Sequence, residues 1–388
     1  MALDSMRRAW LVLAGCFLVA SGFNAYLFAP ASIVPPFVGT FDIDTPAVGL
    51  AISVAFLGWL VVQIPAGFLM DRYDNRKLVW AGVAVFFVAA AAGIFAPNYP
   101  AFLATRIVAG TAAAALWTAN ANIVGQAFPV ERRAVGTSLF VTSAPAGVTL
   151  AQAAGPPLAA AFGWRSVLIA YPLVTVCGLP LFAATLRTPV RNEAQLSLSA
   201  FATALADRQI LAVSVSSFCA YSLFVFFNSW MPTYATDVLR VDLGTAGVLA
   251  ALVPAMGLAA RPGGGWLSDR LGGRRRPVII GAFLLVLPAL VGAAMSSTTL
   301  GFAAALLLAG VGSQLGTGVF YVYVEEVSPA ESGGTGLSVL MTLSIAGSLV
   351  APVVAGWLID VLSWTAAFGF GGVLAVVGIA AVVRLPEP

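Results

Sequence analysis

The sequence predicts an all-α membrane protein with twelve transmembrane helices in two pseudo-symmetric six-helix bundles. Three observations support this fold class: the composition, the number of long apolar segments, and a repeat that relates the two halves of the chain. Of the 388 residues, 60% are hydrophobic and only 9% are charged. A water-soluble domain of this length needs far more charge on its surface, so the solvent of most of this chain is lipid.

Twelve apolar segments have the length that a helix needs to cross a bilayer, about 20 residues. They are too long and too continuous for the strands of a membrane barrel, which alternate apolar and polar residues. The predicted spans cover residues 9–30, 47–69, 78–96, 100–125, 135–160, 166–186, 210–234, 244–267, 277–295, 299–323, 334–358 and 363–383.

The basic residues predict an orientation for these spans. With the N-terminus in the cytoplasm, fifteen of the 19 Lys and Arg residues fall in cytoplasmic segments, and only Arg165 and Arg240 fall outside. This asymmetry follows the positive-inside rule. We therefore expect a multi-pass protein of the cytoplasmic (inner) membrane, in contact with the lipid bilayer, with both termini in the cytoplasm.

The two halves of the chain repeat one another. The stretch "PVERRAVGTSL" (129–139) matches "PAESGGTGLSV" (329–339), and "GFLMDRYDNRK" (67–77) matches "GWLSDRLGGRR" (265–275). Two related bundles with an axis along the membrane normal leave a central cavity between them. The predicted domains are an N-terminal bundle at 1–187, a cytoplasmic linker at 188–207 and a C-terminal bundle at 208–388.

Several classes of function are excluded by the residues themselves. The chain has no histidine, which excludes histidine-based zinc, haem and proton-relay sites. The three cysteines fall in apolar segments, which predicts neither a disulfide framework nor a metal site. No nucleophile lies beside a base, so we expect no enzyme activity. We also expect no cofactor, no nucleic-acid partner and a monomeric protein.

Four short motifs give the chain a family resemblance. They are "GFLMDR" (67–72), its repeat "GWLSDR" (265–270), "RIVAG" (106–110) and "AGPPLAAAFGWR" (154–165). Together they resemble the G-x-L-x-D-R, R-x-x-x-G and G-P elements of the major facilitator superfamily, and the resemblance covers essentially the whole chain. It implies the major facilitator fold and transport by alternating access, in which the two halves rock and no covalent chemistry occurs.

The charged residues at the cytoplasmic helix ends are candidate gating residues. Carboxylates and arginines placed there can pair across helices and hold the outward-open state until the cytoplasmic side opens. The alternative is that they anchor the topology and terminate helices. The candidates are Asp71, Arg72, Glu131, Arg132, Asp269 and Arg270.

Arg261 is the main candidate for substrate binding. It lies inside the apolar segment 243–267, and no acid is nearer in sequence than Asp269. An arginine at a helix centre costs about 2.5–3.5 kcal/mol, so it should face the bundle interior or a water-filled cavity. Small residues share its helix face and leave space for a ligand. These small residues are Ala250, Pro254, Gly257 and Gly265.

The distribution of charge predicts an anionic substrate. None of the 16 Asp and Glu residues lies deep in a span, whereas Arg106 and Arg261 both do. A small anion would supply the missing charge, because arginine presents a planar fork suited to carboxylate or nitrate. The alternatives are that carbonyls, hydroxyls and water satisfy Arg261, and that Arg106 has a structural or coupling role.

The context of Arg261 narrows the resemblance. The stretch "RPGGGWLSDR" (261–270) is similar to helix 8 of the oxalate/formate exchanger and monocarboxylate branch, where this arginine binds the substrate carboxylate. Nitrate/nitrite porters carry a similar arginine, but they pair it with a second one in helix 2, where this chain has Gln63. The oxalate exchanger also uses a lysine in helix 11, and residues 337–358 carry no charge. A monoanion is therefore expected.

Polar and aromatic residues at membrane depth are further candidates for the site. Each of them can instead make an ordinary hydrogen bond between helices. They are Asn24, Tyr26, Trp117, Asn120, Gln152, Tyr221, Asn228 and Gln314.

These observations predict a transporter of a small, monocarboxylate-like anion. Because no histidine or carboxylate is deep in a span, an exchanger or facilitator is favoured over a proton symporter. The alternatives are an efflux pump for apolar small molecules and a porter of nitrate or nitrite. A receptor or scaffold is disfavoured because the gating motif is present in both halves.

Overall fold

The computed structural model describes residues 2–186, 189–190, 198–328 and 333–387. These residues form seventeen helices. In chain order they are α1 (Ala2–Ser32), α2 (Val34–Phe41), α3 (Thr45–Arg72), α4 (Asn75–Ile94), α5 (Tyr99–Ala127), α6 (Val130–Val141), α7 (Ser143–Phe162), α8 (Arg165–Cys177), α9 (Leu179–Thr185), α10 (Leu198–Ala206), α11 (Arg208–Asp237), α12 (Leu243–Arg270), α13 (Arg276–Met295), α14 (Thr299–Leu315), α15 (Thr317–Val327), α16 (Gly333–Val361) and α17 (Trp364–Val382).

Within the described ranges, twelve helical segments are long and apolar enough to cross a membrane. The predicted all-α class with twelve spans is therefore confirmed. Some spans consist of two helices in succession, because the helix is interrupted near its middle. One of them runs over Thr299–Val327 and is interrupted at Gly316, between α14 and α15. Part of the predicted linker is helical, since α10 lies within it.

The chain divides into two compact units. The N-terminal unit contains Met1–Ala29 and Val54–Gln195, and the C-terminal unit contains Pro30–Ser53 and Leu196–Pro388. The end of the first span and the beginning of the second are thus grouped with the C-terminal helices. The domain boundaries at 187 and 208 remain a prediction.

Close backbone contacts determine the packing of the N-terminal unit. At Gly110 in α5, a Cβ atom would collide with the carbonyl group of Ala55 in α3. At Gly22 in α1, a Cβ atom would collide with the backbone nitrogen of Thr175 in α8. Small residues allow such approach between membrane helices, where van der Waals contact replaces the hydrophobic effect as the main attraction. These contacts bring α5 against α3 and α1 against α8.

In the C-terminal unit, α11 is the most buried helix and contacts α12, α14, α15, α16 and α17. Its C-terminal end packs through aromatic rings, with Tyr234 against Phe302, Trp364 and Phe368. The helices α12, α14 and α15 pack on one another beside it. This arrangement places residues of α11, α14 and α15 near Arg261.

Candidate functional site

Arg261 lies in the second half of α12 and retains only 7% of its accessible surface. Its Nε donates a hydrogen bond of 2.8 Å to Oε1 of Gln314 in α14. The guanidinium carbon lies 5.9 Å from the centre of the Phe224 ring in α11. A neutral amide and an aromatic face therefore hold this charged group at the junction of three helices.

Gln314 is fully buried in the last turn of α14. Because a guanidinium only donates hydrogen bonds, the carboxamide oxygen faces Arg261 and the amide nitrogen points away. That nitrogen, Nε2, has no hydrogen-bond partner among the described residues. A buried donor left in this state costs about 1–3 kcal/mol, so the position favours an acceptor supplied by a ligand or by water.

The helices that carry this pair are in backbone contact. At Gly264 in α12, a Cβ atom would collide with the carbonyl oxygen of Leu315 in α14. At Gly318 in α15, a Cβ atom would lie 3.4 Å from the carbonyl oxygen of Arg261 itself. The glycines thus hold Arg261 and Gln314 on closely packed backbones rather than on loops.

Two tyrosines of neighbouring helices are within electrostatic range of the arginine. The hydroxyls of Tyr221 in α11 and Tyr321 in α15 are 3.0 Å apart, and the Tyr321 hydroxyl also donates to the Met341 sulfur at 3.1 Å. The sequence singled out Tyr221 but missed Tyr321 and Met341. A signal for Tyr321 was present, since it follows Gln314 by seven residues, or about two helical turns.

Other polar side chains of α11 contact backbone or neighbouring helices. The Asn228 amide donates to the carbonyl oxygen of Phe224 at 2.7 Å, one turn earlier in the same helix. The hydroxyls of Ser217 and Ser344 are 2.7 Å apart and join α11 to α16. Neither serine was among the sequence candidates, because a lone serine in an apolar helix carries no distinctive pattern.

Arg106 is fully buried in the N-terminal unit. Its Nη1 and Nη2 donate to the carbonyl oxygens of Tyr26 and Leu27 in α1, at 2.8 and 2.5 Å. Its guanidinium carbon also lies 4.9 Å from the centre of the Tyr26 ring. These contacts join α5 to α1 through main-chain groups, as expected for an arginine that stabilises helix packing.

The remaining candidates of the N-terminal unit are also interior. Asn24 donates to the carbonyl oxygen of Ala20 at 2.8 Å, and Gln152 is fully buried in α7. Asn120 is fully buried as well, and neither its oxygen nor its nitrogen has a hydrogen-bond partner among the described residues. Such an amide favours water or a ligand as its partner.

Trp117 belongs to an aromatic cluster in the N-terminal unit. Its ring centre lies 4.9 Å from Phe140, 6.5 Å from Phe23 and 6.4 Å from Trp59. The Trp59 indole in turn donates to Oε1 of Gln63 at 2.9 Å. Gln63 occupies the position at which nitrate porters have their second arginine. In this protein it accepts a hydrogen bond from a tryptophan.

The ten candidates thus fall into two groups, one in each unit. Arg261, Gln314 and Tyr221 lie together in the C-terminal unit, and Asn228 lies one turn from the Phe224 ring that faces Arg261. Arg106 and Tyr26 contact one another in the N-terminal unit. That unit also contains Asn24, Trp117, Asn120 and Gln152.

The gating candidates of the C-terminal unit have partners within that unit. Asp269 pairs with Arg275 at 3.1 Å, and Arg275 also pairs with Glu326 at 2.9 Å. The hydrogen bond to Glu326 raises the pKa of Arg275 above its usual value, although partial burial opposes this shift. Arg270 instead lies over the ring of Trp266, with the guanidinium carbon 4.2 Å from its centre. The sequence missed Arg275 as the residue that joins these helix ends.

In the N-terminal unit, the side chains of Asp71, Arg72 and Glu131 lie outside the described residues, and Arg132 is exposed. The described charge pair of this region is Asp74 with Arg76, at 2.7 Å.

Asp74 caps α4 and also accepts a hydrogen bond from the backbone of Val190. Burial raises the pKa of Asp74, but hydrogen bonds from Arg76 and from backbone N–H groups outweigh it, and the pKa lies below its usual value.

The family model described as Major Facilitator Superfamily matches residues 13–288 and 245–388. A probable galactarate/D-glucarate transporter, GudP, of Bacillus subtilis (strain 168) is 25% identical over 97% of this chain and 90% of its own length. The probable anion transporter 4, chloroplastic, of Oryza sativa subsp. japonica is 26% identical over 96% of this chain and 67% of its own length.

Among solved structures, a bacterial homolog of the human lysosomal transporter Spinster, in an inward-facing and unoccupied conformation, has a similar fold. The TM-score is 0.77, over 97% of this chain and 94% of that protein. At 17% sequence identity, this likeness concerns the fold alone.

Proposed function

Because this chain belongs to the Major Facilitator Superfamily, we propose that it is a secondary transporter of a small organic anion, with Arg261 as the principal ligand of that anion. The family supports transport by alternating access. The positive-inside pattern of the sequence supports a place in the cytoplasmic membrane with both termini in the cytoplasm. The two relatives named above, one a probable aldarate transporter and the other a probable anion transporter, support an anionic substrate.

The observation that carries the proposal is the pair of Arg261 and Gln314. A guanidinium that is more than nine-tenths buried is held by a neutral amide whose own nitrogen still lacks an acceptor among the described residues. The sequence places no carboxylate deep in a span. An anion with two oxygens can accept from the guanidinium and from Nε2 together, which suits a planar carboxylate.

An organic carboxylate is favoured over nitrate or nitrite. The position of the second arginine in nitrate porters holds Gln63, which accepts a hydrogen bond from Trp59 and adds no positive charge. The candidate residues of the C-terminal unit include one arginine, Arg261, whose charge matches a single carboxylate. This match favours a monocarboxylate-like substrate. The aldarate named for the Bacillus relative carries two carboxylates, so the panel of test anions should include dianions.

Exchange or facilitated diffusion is favoured over proton symport. Symport needs a titratable group that reaches the substrate path, and the sequence contains no histidine and no acid in the middle of a span. An exchanger needs only one anion site that both substrates occupy in turn. Counter-transport of a preloaded anion, measured in proteoliposomes with and without a proton gradient, would separate these modes.

A second candidate function is efflux of apolar small molecules. The aromatic cluster of Phe23, Trp59, Trp117 and Phe140 in the N-terminal unit favours it, because aromatic faces bind such compounds. Under this alternative Arg261 would be structural, and anions would not stabilise the protein.

The test is a thermal-shift panel of mono- and dicarboxylates and nitrate on detergent-purified protein, followed by uptake into proteoliposomes. An anion at 100 times its dissociation constant should add about 2.7 kcal/mol to the free energy of unfolding. Arg261→Gln should abolish both the shift and the uptake. Arg240→Gln is the matched control, because it removes the same charge at an exposed position outside the spans.

The proposal fails if no anion stabilises the protein, or if Arg261→Gln transports anions as the wild type does. Stabilisation by unrelated apolar compounds, unaffected by Arg261→Gln, would establish the efflux alternative instead.

A further inference from the structure

The hydroxyls of Tyr221 and Tyr321 extend the polar surface around Arg261. They come from α11 and α15, which contact one another, and they are 3.0 Å apart. Both side chains are partly exposed, whereas Arg261 is almost fully buried. Both tyrosines are also within electrostatic range of Arg261.

The position of the pair relative to the guanidinium follows from α11. Phe224, whose ring faces the guanidinium at 5.9 Å, lies three residues after Tyr221 and hence on the same face of the helix, about one turn away. Tyr321 is drawn to the same place by its hydrogen bond to Tyr221. An anion on Arg261 would thus lie within the range of this pair, and C2 is the first carbon beyond a carboxylate bound there.

The hydrogen-bonding capacity of the pair is only partly used. Each phenol has one donor hydrogen and two acceptor lone pairs. One hydrogen joins the two oxygens, and the described acceptor for the other is the Met341 sulfur, at 3.1 Å from Tyr321. A thioether is a weak acceptor, so an oxygen atom of a ligand in its place would form a stronger hydrogen bond. The spare lone pairs can at the same time accept a hydrogen from that ligand.

We propose that Tyr221 and Tyr321 recognise a hydroxyl group on C2 of the transported anion, so that the substrates are 2-hydroxycarboxylates. An alcohol both donates and accepts, which matches the pair, whereas a methylene does neither and would leave the phenols unsatisfied. This inference rests on the proposed function, since it assumes that the carboxylate binds to Arg261. The two tyrosines would thus discriminate between acids that differ by one oxygen atom.

The experiment compares matched acids on the full-length protein in detergent and in proteoliposomes. Lactate is compared with propanoate, glycerate with 3-hydroxypropanoate, and D-gluconate with 2-deoxy-D-gluconate. One net hydrogen bond corresponds to roughly a fivefold change in dissociation constant, so each 2-hydroxy acid should bind about five to ten times more tightly than its partner.

The variants Tyr221→Phe and Tyr321→Phe should bring the ratio of the two dissociation constants close to one, because they should weaken the binding of the 2-hydroxy acid only. Tyr234→Phe is the matched control. It removes a tyrosine hydroxyl from α11, the helix of Tyr221, but this hydroxyl donates to the carbonyl oxygen of Ala294, away from the arginine. The control should keep the wild-type ratio.

The inference is overturned if the wild type binds both acids of every pair equally, or if the ratio survives in both phenylalanine variants. These outcomes differ from failure of the proposed function, in which neither acid of any pair stabilises the protein and Arg261→Gln changes nothing. Binding that is lost equally for both acids in Tyr221→Phe and Tyr321→Phe would also overturn it, since it would show a packing role.

Discussion

Arg261 and Gln314, 53 residues apart in sequence, are joined by a hydrogen bond of 2.8 Å between Nε and Oε1 in the interior of the C-terminal unit. The amide fixes one edge of the guanidinium and presents its own nitrogen beside it.

Substitution of Gln314 by glutamate should abolish anion binding without unfolding the protein. The new carboxylate would neutralise Arg261 and occupy the place of the substrate, and the buried charges would compensate one another. We expect a melting temperature at or above that of the wild type and no stabilisation by any anion. Gln126→Glu adds the same charge at an exposed position and should keep the anion response. A normal anion-induced shift in Gln314→Glu would contradict this prediction.

Substitution of Arg106 by glutamine should affect folding rather than ligand affinity. The carbonyl oxygens of Tyr26 and Leu27 would each lose a charged donor, at a cost of about 1–3 kcal/mol per group. We expect a lower melting temperature and lower yield, while the folded fraction binds anions with the wild-type dissociation constant. A tenfold weaker affinity at unchanged stability would instead make Arg106 a ligand of the substrate.

Neighbouring glycines of α12 should respond in opposite ways to alanine. Gly264→Ala places a Cβ against the carbonyl oxygen of Leu315, so α12 and α14 must separate and both stability and anion affinity should fall. Gly265→Ala meets nothing within 4 Å and gains helix propensity, worth up to about 1 kcal/mol. The melting temperatures of the two variants test this prediction. Equal changes in both would contradict it and show that the helices adjust freely to an added Cβ atom.

Substitution of Asp74 by asparagine should lower stability in a pH-dependent way. Asparagine can still cap α4 with its side-chain oxygen, but it loses the charge that pairs with Arg76, which costs up to about 1 kcal/mol. Its folded pKa is lowered, so the stabilisation by its charge is present above the unfolded value of about 3.9 and is lost as pH falls through the lower folded value. The difference in melting temperature should therefore be constant above about pH 5 and shrink below about pH 4. Asp360→Asn, at an exposed position, is the control.

The fold was predictable because the bilayer constrains it so strongly. Every apolar segment of span length must be helical to satisfy its backbone, which gave the twelve spans and the all-α class. Burial of Arg261 was predictable for a related reason, since a charge in an apolar segment must avoid lipid. Gln314 was predicted only as one of several polar candidates for the site, and nothing in the sequence marked it as the neighbour of Arg261.

The contacts between distant helices were not predictable from one sequence. Tyr321 and Met341 join Tyr221 across three helices, and no local pattern marks a tyrosine as the partner of another one 100 residues away. Arg275 was likewise assigned only to the topology, because it stands in a run of three arginines that are equivalent by composition. Which of the three joins Asp269 to Glu326 depends on the turn after α12, whose Gly272 and Gly273 both have positive φ.

The contact of Gly264 with Leu315 has a thermodynamic consequence. Backbones this close cannot slide past one another without breaking the packing, so Arg261 and Gln314 should keep the same geometry in every state that preserves the C-terminal unit. Interactions that are equal in two states contribute equally to the affinity of both and cannot shift the population from one to the other. Under the proposed function, this pair would select the anion, whereas the free-energy difference that drives the conformational change must come from groups whose contacts with the anion differ between the two states.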